Sequence, residues 1–125
     1  MSRTTILQVL PGLVAGGVER GTLEIAEAII AAGGRALVAS AGGPLVGPLE
    51  RLGATHITLP LRTKAPWQLL RNAGALARLV AEERIGLIHA RSRAPAWSAL
   101  LAARRTGAHF VTTYHGTYNL SLIHI

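Results

Sequence analysis

Short apolar segments typical of β-strands alternate with longer helical segments along most of this 125-residue chain, and no other feature constrains the fold as strongly. Runs rich in β-branched and other apolar residues predict five strands, at Thr5–Leu10, Ala36–Ser40, His56–Leu59, Leu87–Ala90 and Phe110–Tyr114. Apolar residues at helical spacing predict four helices, at Val18–Ala32, Pro48–Leu52, Pro66–Arg84 and Pro95–Arg105. Nearly continuous apolar strands of this kind are typical of a parallel sheet with helices on both faces, so we predict an α/β fold.

The composition excludes several kinds of site. The chain has no cysteine, which rules out disulfides and thiolate metal sites. All six acidic residues are glutamates, so an EF-hand loop or an aspartate pair cannot form. Lys64 is the single lysine and precedes alanine, whereas a P-loop requires lysine before serine or threonine. Because no two histidines stand at metal-ligand spacing such as i and i+4, we expect no metal site.

The formal net charge of +7 requires an explanation in terms of partners. Nucleic acid, an anionic membrane surface and a phosphorylated substrate are the three candidates. Aromatic residues make up only 4% of the chain, and no pattern of a known nucleic-acid-binding motif occurs. A basic nucleic-acid-binding module therefore stays an alternative, although we expect no nucleic acid. Since no stretch is long and apolar enough for a transmembrane helix, we expect a cytoplasmic location.

Polar residues and glycines follow each of the predicted strands. In a parallel sheet the carboxyl ends of the strands meet at one edge, and ligands bind there. The candidate residues at this edge are Gly16, Gly17, Ser40, Arg62, Lys64, Arg91, Ser92, Arg93 and His115. Glycine, hydroxyl, histidine and arginine together suit a polar ligand that carries phosphate.

The glycine-rich turn before the first helix is the most informative of these segments. Gly16 and Gly17 leave backbone N–H groups uncovered at a helix N-terminus, where a diphosphate can approach them. A tight turn with no ligand explains the two glycines equally well. The pattern is not G-x-G-x-x-G, and no acidic residue follows the second strand, which disfavours an NAD dehydrogenase. Another nucleotide-binding enzyme of Rossmann-like fold remains an alternative.

Three segments together resemble family-4 glycosyltransferases of the GT-B class, over Thr5 to Asn119. The segments are ILQVLPGLVAGGVERG, IHARSRAPAWSALLAARRTG and FVTTYHGTYN. The resemblance implies the N-terminal, acceptor-side Rossmann-like domain of a retaining enzyme that needs no metal. Such an enzyme takes a sugar from a nucleotide-sugar donor and transfers it to a saccharide or lipid-linked acceptor. The most similar members are bacterial enzymes that build surface polysaccharide or lipopolysaccharide.

The same resemblance implies roles for individual residues. Gly16 and Gly17 would approach the donor diphosphate, and His115 would lie near the transferred sugar and help to orient it. Arg91, Ser92 and Arg93 would line the acceptor side, an inference from the sheet edge rather than from a family motif.

The chain departs from the family after its first domain. The second Rossmann-like domain and its Glu-x7-Glu motif do not follow, and the last residues, LSLIHI, do not continue as the family does. We therefore expect a GT-B N-terminal domain at residues 1–119 and an aberrant or truncated tail at 120–125. The isolated fragment is expected to be inactive.

The third predicted helix carries a further candidate surface. Lys64, Arg71 and Arg78 recur every seven residues, with Trp67 beside them. A basic stripe with an interfacial aromatic residue can hold a protein on an anionic membrane. The charge pattern alone favours an ordinary solvated helix face over this membrane role. In the neighbouring segments, Trp97 is expected to pack in the core or at an interface, and His89 to be a hydrogen-bonded core residue.

Overall fold

The computed structural model describes residues 4–13, 17–115 and 120–124, and all nine predicted elements are present there. Their bounds differ from the predicted ones by at most two residues at any end. The elements in chain order are β1 (Thr5–Val9), α1 (Gly17–Ala31), β2 (Arg35–Ser40), α2 (Val46–Arg51), β3 (Thr55–Thr58), α3 (Pro66–Glu83), β4 (Leu87–Ala90), α4 (Arg93–Thr106), β5 (His109–His115) and β6 (Leu120–His124).

The strands form one sheet in the order β3-β2-β1-β4-β5-β6. The first five strands are parallel, which confirms the predicted α/β, Rossmann-like fold. The sixth strand, β6, was not predicted; it pairs antiparallel with β5 and extends the sheet by one strand. Because β1 to β5 run in the same direction, their carboxyl ends lie at a common edge, which we call the carboxyl edge.

Helices cover both faces of the sheet, as predicted. On one face, α3 and α4 bury a core against alternate strand residues such as Leu7, Ile88 and Phe110. On the other face, α1 and α2 pack on a second core around Val38, with Ala26 and Leu49 from the helices. The two cores arise because successive side chains of a strand point to opposite faces.

Polar side chains tie the start of α3 to its surroundings. The buried Asn72 donates from Nδ2 to the Pro60 carbonyl oxygen at 3.1 Å and accepts from Gln68 Nε2 at 3.0 Å. Ser98 Oγ of α4 donates to the Leu69 carbonyl oxygen of α3 at 2.8 Å. These bonds fix the first half of α3 relative to both α4 and the end of β3.

Candidate functional site

Backbone hydrogen bonds hold the turn after β1 against the turn after β2. The Leu13 N–H donates to the Gly42 carbonyl oxygen at 3.0 Å, and the Leu45 N–H donates to the Leu13 carbonyl oxygen at 2.9 Å. A Cβ atom on Gly43 would overlap the Leu13 carbonyl group, and the φ of Gly43, +149°, also favours glycine. The chain that leads into the glycine-rich turn is therefore fixed at the carboxyl edge.

Ser40 and His56 support the second of these turns. The Ser40 hydroxyl and His56 Nε2 share a hydrogen bond of 2.6 Å, and the Gly42 N–H donates to Ser40 Oγ at 3.0 Å. Burial lowers the pKa of His56, and the carboxylate of Glu50 acts in the opposite direction. Both side chains are engaged with the protein itself, so we assign them to the support of the turn rather than to ligand binding.

Of the two predicted diphosphate-binding glycines, Gly16 lies outside the described residues and Gly17 is the first residue of α1. The first backbone N–H groups of an α-helix have no partner within the helix and carry the positive end of its dipole. The structure thus places Gly17 at the carboxyl edge with the start of a 15-residue helix. The contact of both glycines with a diphosphate stays a prediction.

Arg62 lies across the turn after β1. Its Nη2 is 2.5 Å from the point where a Cβ atom on Gly12 would stand, and Nη2 donates to the Gly42 carbonyl oxygen at 3.4 Å. The absence of a side chain on Gly12 therefore makes room for the guanidinium group. Arg62 itself is exposed, so its charge is available to a ligand at this edge.

Arg91 follows β4 and lies against α1. It is only 5% exposed, and its Nη2 is 2.8 Å from the point where a Cβ atom on Gly21 would stand. Its Nε has no hydrogen-bond partner. Burial lowers the pKa of Arg91, and the carboxylate of Glu19 in the first turn of α1 acts in the opposite direction. The structure therefore places a buried cation beside the N-terminal part of α1.

For the remaining predicted residues of the carboxyl edge, the structure gives the backbone position but few or no side-chain contacts. Ser92 is half-buried and is the N-cap residue of α4, where its side chain makes no capping hydrogen bond. Arg93 begins α4 and His115 ends β5, but their side chains lie outside the described ones. The backbone therefore brings both residues to the carboxyl edge, and their predicted roles stay predictions.

His89 is a hydrogen-bonded histidine of the sheet, as predicted. Its Nε2 bonds to the Thr113 hydroxyl, and the ring is half-buried. Burial, with a smaller contribution from the charge of Arg91, lowers the pKa of His89 to about 4. The ring is therefore neutral at pH 7. Buried Gln8, its neighbour on β1, donates from Nε2 to the Thr22 carbonyl oxygen at 3.1 Å.

The predicted basic stripe forms an exposed face of α3. Lys64 precedes the helix, and Arg71 and Arg78 stand on it, all three exposed, while Trp67 is 61% exposed. An open groove of about 500 Å³ runs beside this face, with both arginines in its wall. The buried residues of α3 are Asn72, Ala73, Leu76 and Val80, on the side away from this face.

Of the two predicted places for Trp97, the core or an interface, the structure excludes the core, because the side chain is 64% exposed. Leu70 of α3 is 58% exposed. Ser98 of α4 donates a hydrogen bond to Leu69 of α3. Trp97 precedes Ser98 and Leu70 follows Leu69, so these two exposed residues lie at the same height on adjacent helices. Exposed apolar side chains therefore accompany the basic stripe, and an interface role for Trp97 stays a prediction.

Two further properties concern the described part of the chain. Within residues 4–13, 17–115 and 120–124, no group of three or more histidine or acidic side chains could hold a metal ion. None of the helices described there is both long and apolar enough to cross a bilayer.

The carboxyl edge as a whole favours a negatively charged ligand. Arg62 lies against Gly12 and Arg91 against Gly21, and the N-terminus of α1 lies between these glycines along the chain. A helix N-terminus and guanidinium groups are the usual protein ligands of phosphate. The arrangement can bind a phosphate or diphosphate by charge and by hydrogen bonds.

Comparison with known proteins identifies one family. The sequence profile of Glycosyltransferase Family 4 matches residues 15–125. A solved glycosyltransferase from Rickettsia africae ESF-5 is 43% identical, with a TM-score of 0.84. That match covers 97% of this chain but only 32% of the rickettsial chain. No curated protein matches the chain significantly.

More distant solved structures share the fold alone. MurG of Acinetobacter baumannii is 12% identical with a TM-score of 0.67, and the match covers 87% of this chain and 34% of MurG. The C-terminal domain of a hydrogenase from Pyrococcus furiosus is 17% identical with a TM-score of 0.64. That match covers 90% of this chain and 92% of the other. Proteins with unrelated names thus share this architecture, and the fold by itself does not determine the function.

Proposed function

The chain belongs to glycosyltransferase family 4, and from this premise we propose that it forms the acceptor-side domain of a retaining GT-B glycosyltransferase. The enzyme takes a sugar from a nucleotide-sugar donor and transfers it to a saccharide or lipid-linked acceptor. The observation that carries the proposal is the carboxyl edge, where the start of α1 lies with Arg62 and Arg91 in contact with nearby glycines. These groups suit the negative charge of a nucleotide sugar.

The donor diphosphate lies against the backbone N–H groups of Gly16 and Gly17 in this proposal. Negative charge develops on the diphosphate as the bond to the sugar breaks. Amides that already point at that position stabilise the charge without reorganising. The anchored turn of residues 10–13 supports this role, because it fixes the chain just ahead of the two glycines.

The acceptor occupies the neighbouring part of the edge. Arg91, Ser92 and Arg93 line it, and His115 orients the transferred sugar. Holding the acceptor hydroxyl against the sugar carbon supplies much of the rate enhancement through proximity. An oxygen of the donor phosphate takes the proton of that hydroxyl, so the reaction requires neither a side-chain base in this domain nor a metal ion.

The acceptor belongs to surface polysaccharide or lipopolysaccharide synthesis, and the enzyme works in the cytoplasm at the inner face of the membrane. The basic stripe of Lys64, Arg71 and Arg78, with Trp67, supports this placement. A cationic surface with exposed aromatic residues attracts anionic lipid headgroups. The enzyme would then bind a lipid-linked acceptor at the membrane surface that holds this acceptor.

Replacement of one glycine tests the donor role. In the whole enzyme, Gly16→Val is expected to lower kcat by about 100-fold or more, because the side chain blocks the approach of the diphosphate to preorganised amides. Transfer of a labelled sugar to acceptor measures the effect.

Gly86→Val is the matched control. Gly86 is exposed, and a Cβ atom there would meet nothing within 4 Å, so this variant is expected to keep its activity. Near-normal turnover of Gly16→Val would contradict the proposed role of the glycine-rich turn.

A further inference from the structure

The guanidinium group of Arg91 is a buried positive charge without a full complement of partners. The side chain is 5% exposed and its Nε is unpaired. In the described part of the chain, the ion pair within 4 Å joins Arg35 to Glu83, and no carboxylate pairs with Arg91 at that distance. A guanidinium keeps its proton at physiological pH, and a buried charge that lacks a counter-ion is strongly destabilising.

Gly21 shows that α1 is shaped around this cation. Glycine in a helix interior destabilises the helix relative to alanine, so its presence requires a reason. Here Arg91 Nη2 lies 2.8 Å from the position of the missing Cβ atom. A larger residue at this position would push the guanidinium away from the helix.

The cation also lies close to the N-terminus of α1. Gly17 and Gly21 are four residues apart and therefore share one strip of the helix, about 6 Å in length. The helix start contributes partial positive charge at one end of this strip and Arg91 contributes a full charge at the other. Glu19 opposes this field only in part, since it does not form an ion pair with Arg91.

We propose that Arg91 and the N-terminal turn of α1, along Gly17 and Gly21, bind a phosphate group of a substrate. The inference deepens the proposed function and rests on it for the source of the phosphate, which is the donor diphosphate or a phosphate on the acceptor. The guanidinium matches phosphate because its N–H groups can donate two parallel hydrogen bonds to it. Arg91 is therefore a binding residue whose counter-ion arrives with the substrate.

Binding of simple phosphates to the 125-residue chain tests the site without any transfer reaction. Inorganic pyrophosphate represents the donor diphosphate, and glycerol 3-phosphate represents a phosphate on an acceptor. Calorimetry or backbone amide shifts give the Kd. We expect Arg91→Gln to weaken the tighter of the two probes at least tenfold.

Gly21→Ala is a second variant that tests the same site if Arg91→Gln does not fold. Alanine favours the helix and displaces only the flexible end of Arg91, so the variant is expected to keep its Tm or raise it. Binding is expected to weaken at least fivefold. Gly74→Ala is the matched control in α3, where a Cβ atom would have its nearest contact, Arg105 Nη1, at 4.0 Å, and it is expected to leave the Kd unchanged.

The two probes distinguish the source of the phosphate. An Arg91-dependent loss for pyrophosphate assigns the site to the donor, and a loss for glycerol 3-phosphate assigns it to the acceptor. Unchanged binding of both probes in Gly21→Ala, or no binding of either to the wild-type chain at millimolar concentration, would overturn the proposal. An Arg91-dependent Kd in an enzyme that transfers no sugar would instead leave the anion site standing and refute the proposed function.

Discussion

His89 shows, at the scale of one residue, how the sheet controls a titratable side chain. The ring bonds to Thr113, and burial lowers its pKa to about 4, well below the ordinary value of 6.5. As the pH falls, the unfolded chain therefore takes up a proton before the folded chain does. The free energy of unfolding should decrease between about pH 6.5 and pH 4, and His89 should contribute about 2–3 kcal/mol of that decrease.

Urea unfolding at several pH values between 4 and 7.5 measures this effect. His89→Gln keeps a polar group toward Thr113 but cannot take up the proton, so its stability should fall less steeply over the same interval. His56 also has a lowered pKa, so the difference between wild type and variant isolates His89. Parallel curves for the two proteins would show that His89 does not titrate in this way.

Arg91 marks the limit of what the sequence reveals about single residues. The order of strands and turns was enough to place it at the carboxyl edge. Its burial depends on Gly21, a residue far away in the chain, and this packing could not be predicted from either segment alone. The available signal was a glycine inside a strongly predicted helix, which often has a packing reason.

At the scale of the element, α3 combines a buried apolar side with an exposed cationic one. Lys64, Trp67, Arg71 and Arg78 are exposed together, and Leu70 and Trp97 add apolar surface beside them. We predict that the chain binds vesicles containing anionic lipid more tightly than neutral vesicles. Each basic residue near the surface contributes about 1 kcal/mol, so Arg71→Glu with Arg78→Glu should reduce binding at least tenfold. Vesicle co-sedimentation at physiological salt measures this.

The control is a second double variant, which changes the net charge by the same amount but on the opposite face of the sheet. Arg20 of α1 and Arg51 of α2 are exposed there, and their double replacement by glutamate should weaken binding much less. Equal binding of the wild-type chain to neutral and anionic vesicles would exclude the membrane role of α3.

The elements themselves were largely predictable, because apolar periodicity and the glycine and proline boundaries agree along the chain. Both bounds of β4 match the prediction, and no bound of another predicted element differs by more than two residues. β6 was missed because its strand character depends on pairing with β5, a tertiary contact. Trp97 lies outside the core because α4 turns Ala99, Ala102 and Ala103 to the sheet, and Trp97 does not share their spacing.

At the scale of the whole molecule, fold and charge together left several functions open. A parallel sheet with a glycine-rich turn fits many nucleotide-binding proteins, and a net charge of +7 fits any anionic partner. The motifs at the carboxyl edge, in their order along the chain, separated one family from the rest, and the family match over residues 15–125 confirms that identification. The chain spans about a third of the length of the rickettsial glycosyltransferase.

We propose above all that the turn leaving β1 faces the diphosphate of a nucleotide sugar. The crystal structure of the whole enzyme with such a donor bound tests it most directly. We predict a phosphate oxygen within hydrogen-bond distance, about 2.7–3.2 Å, of the Gly16 or Gly17 backbone nitrogen. A donor whose phosphates lie away from this turn, or a turn covered by other parts of the protein when the donor is bound, would contradict the claim.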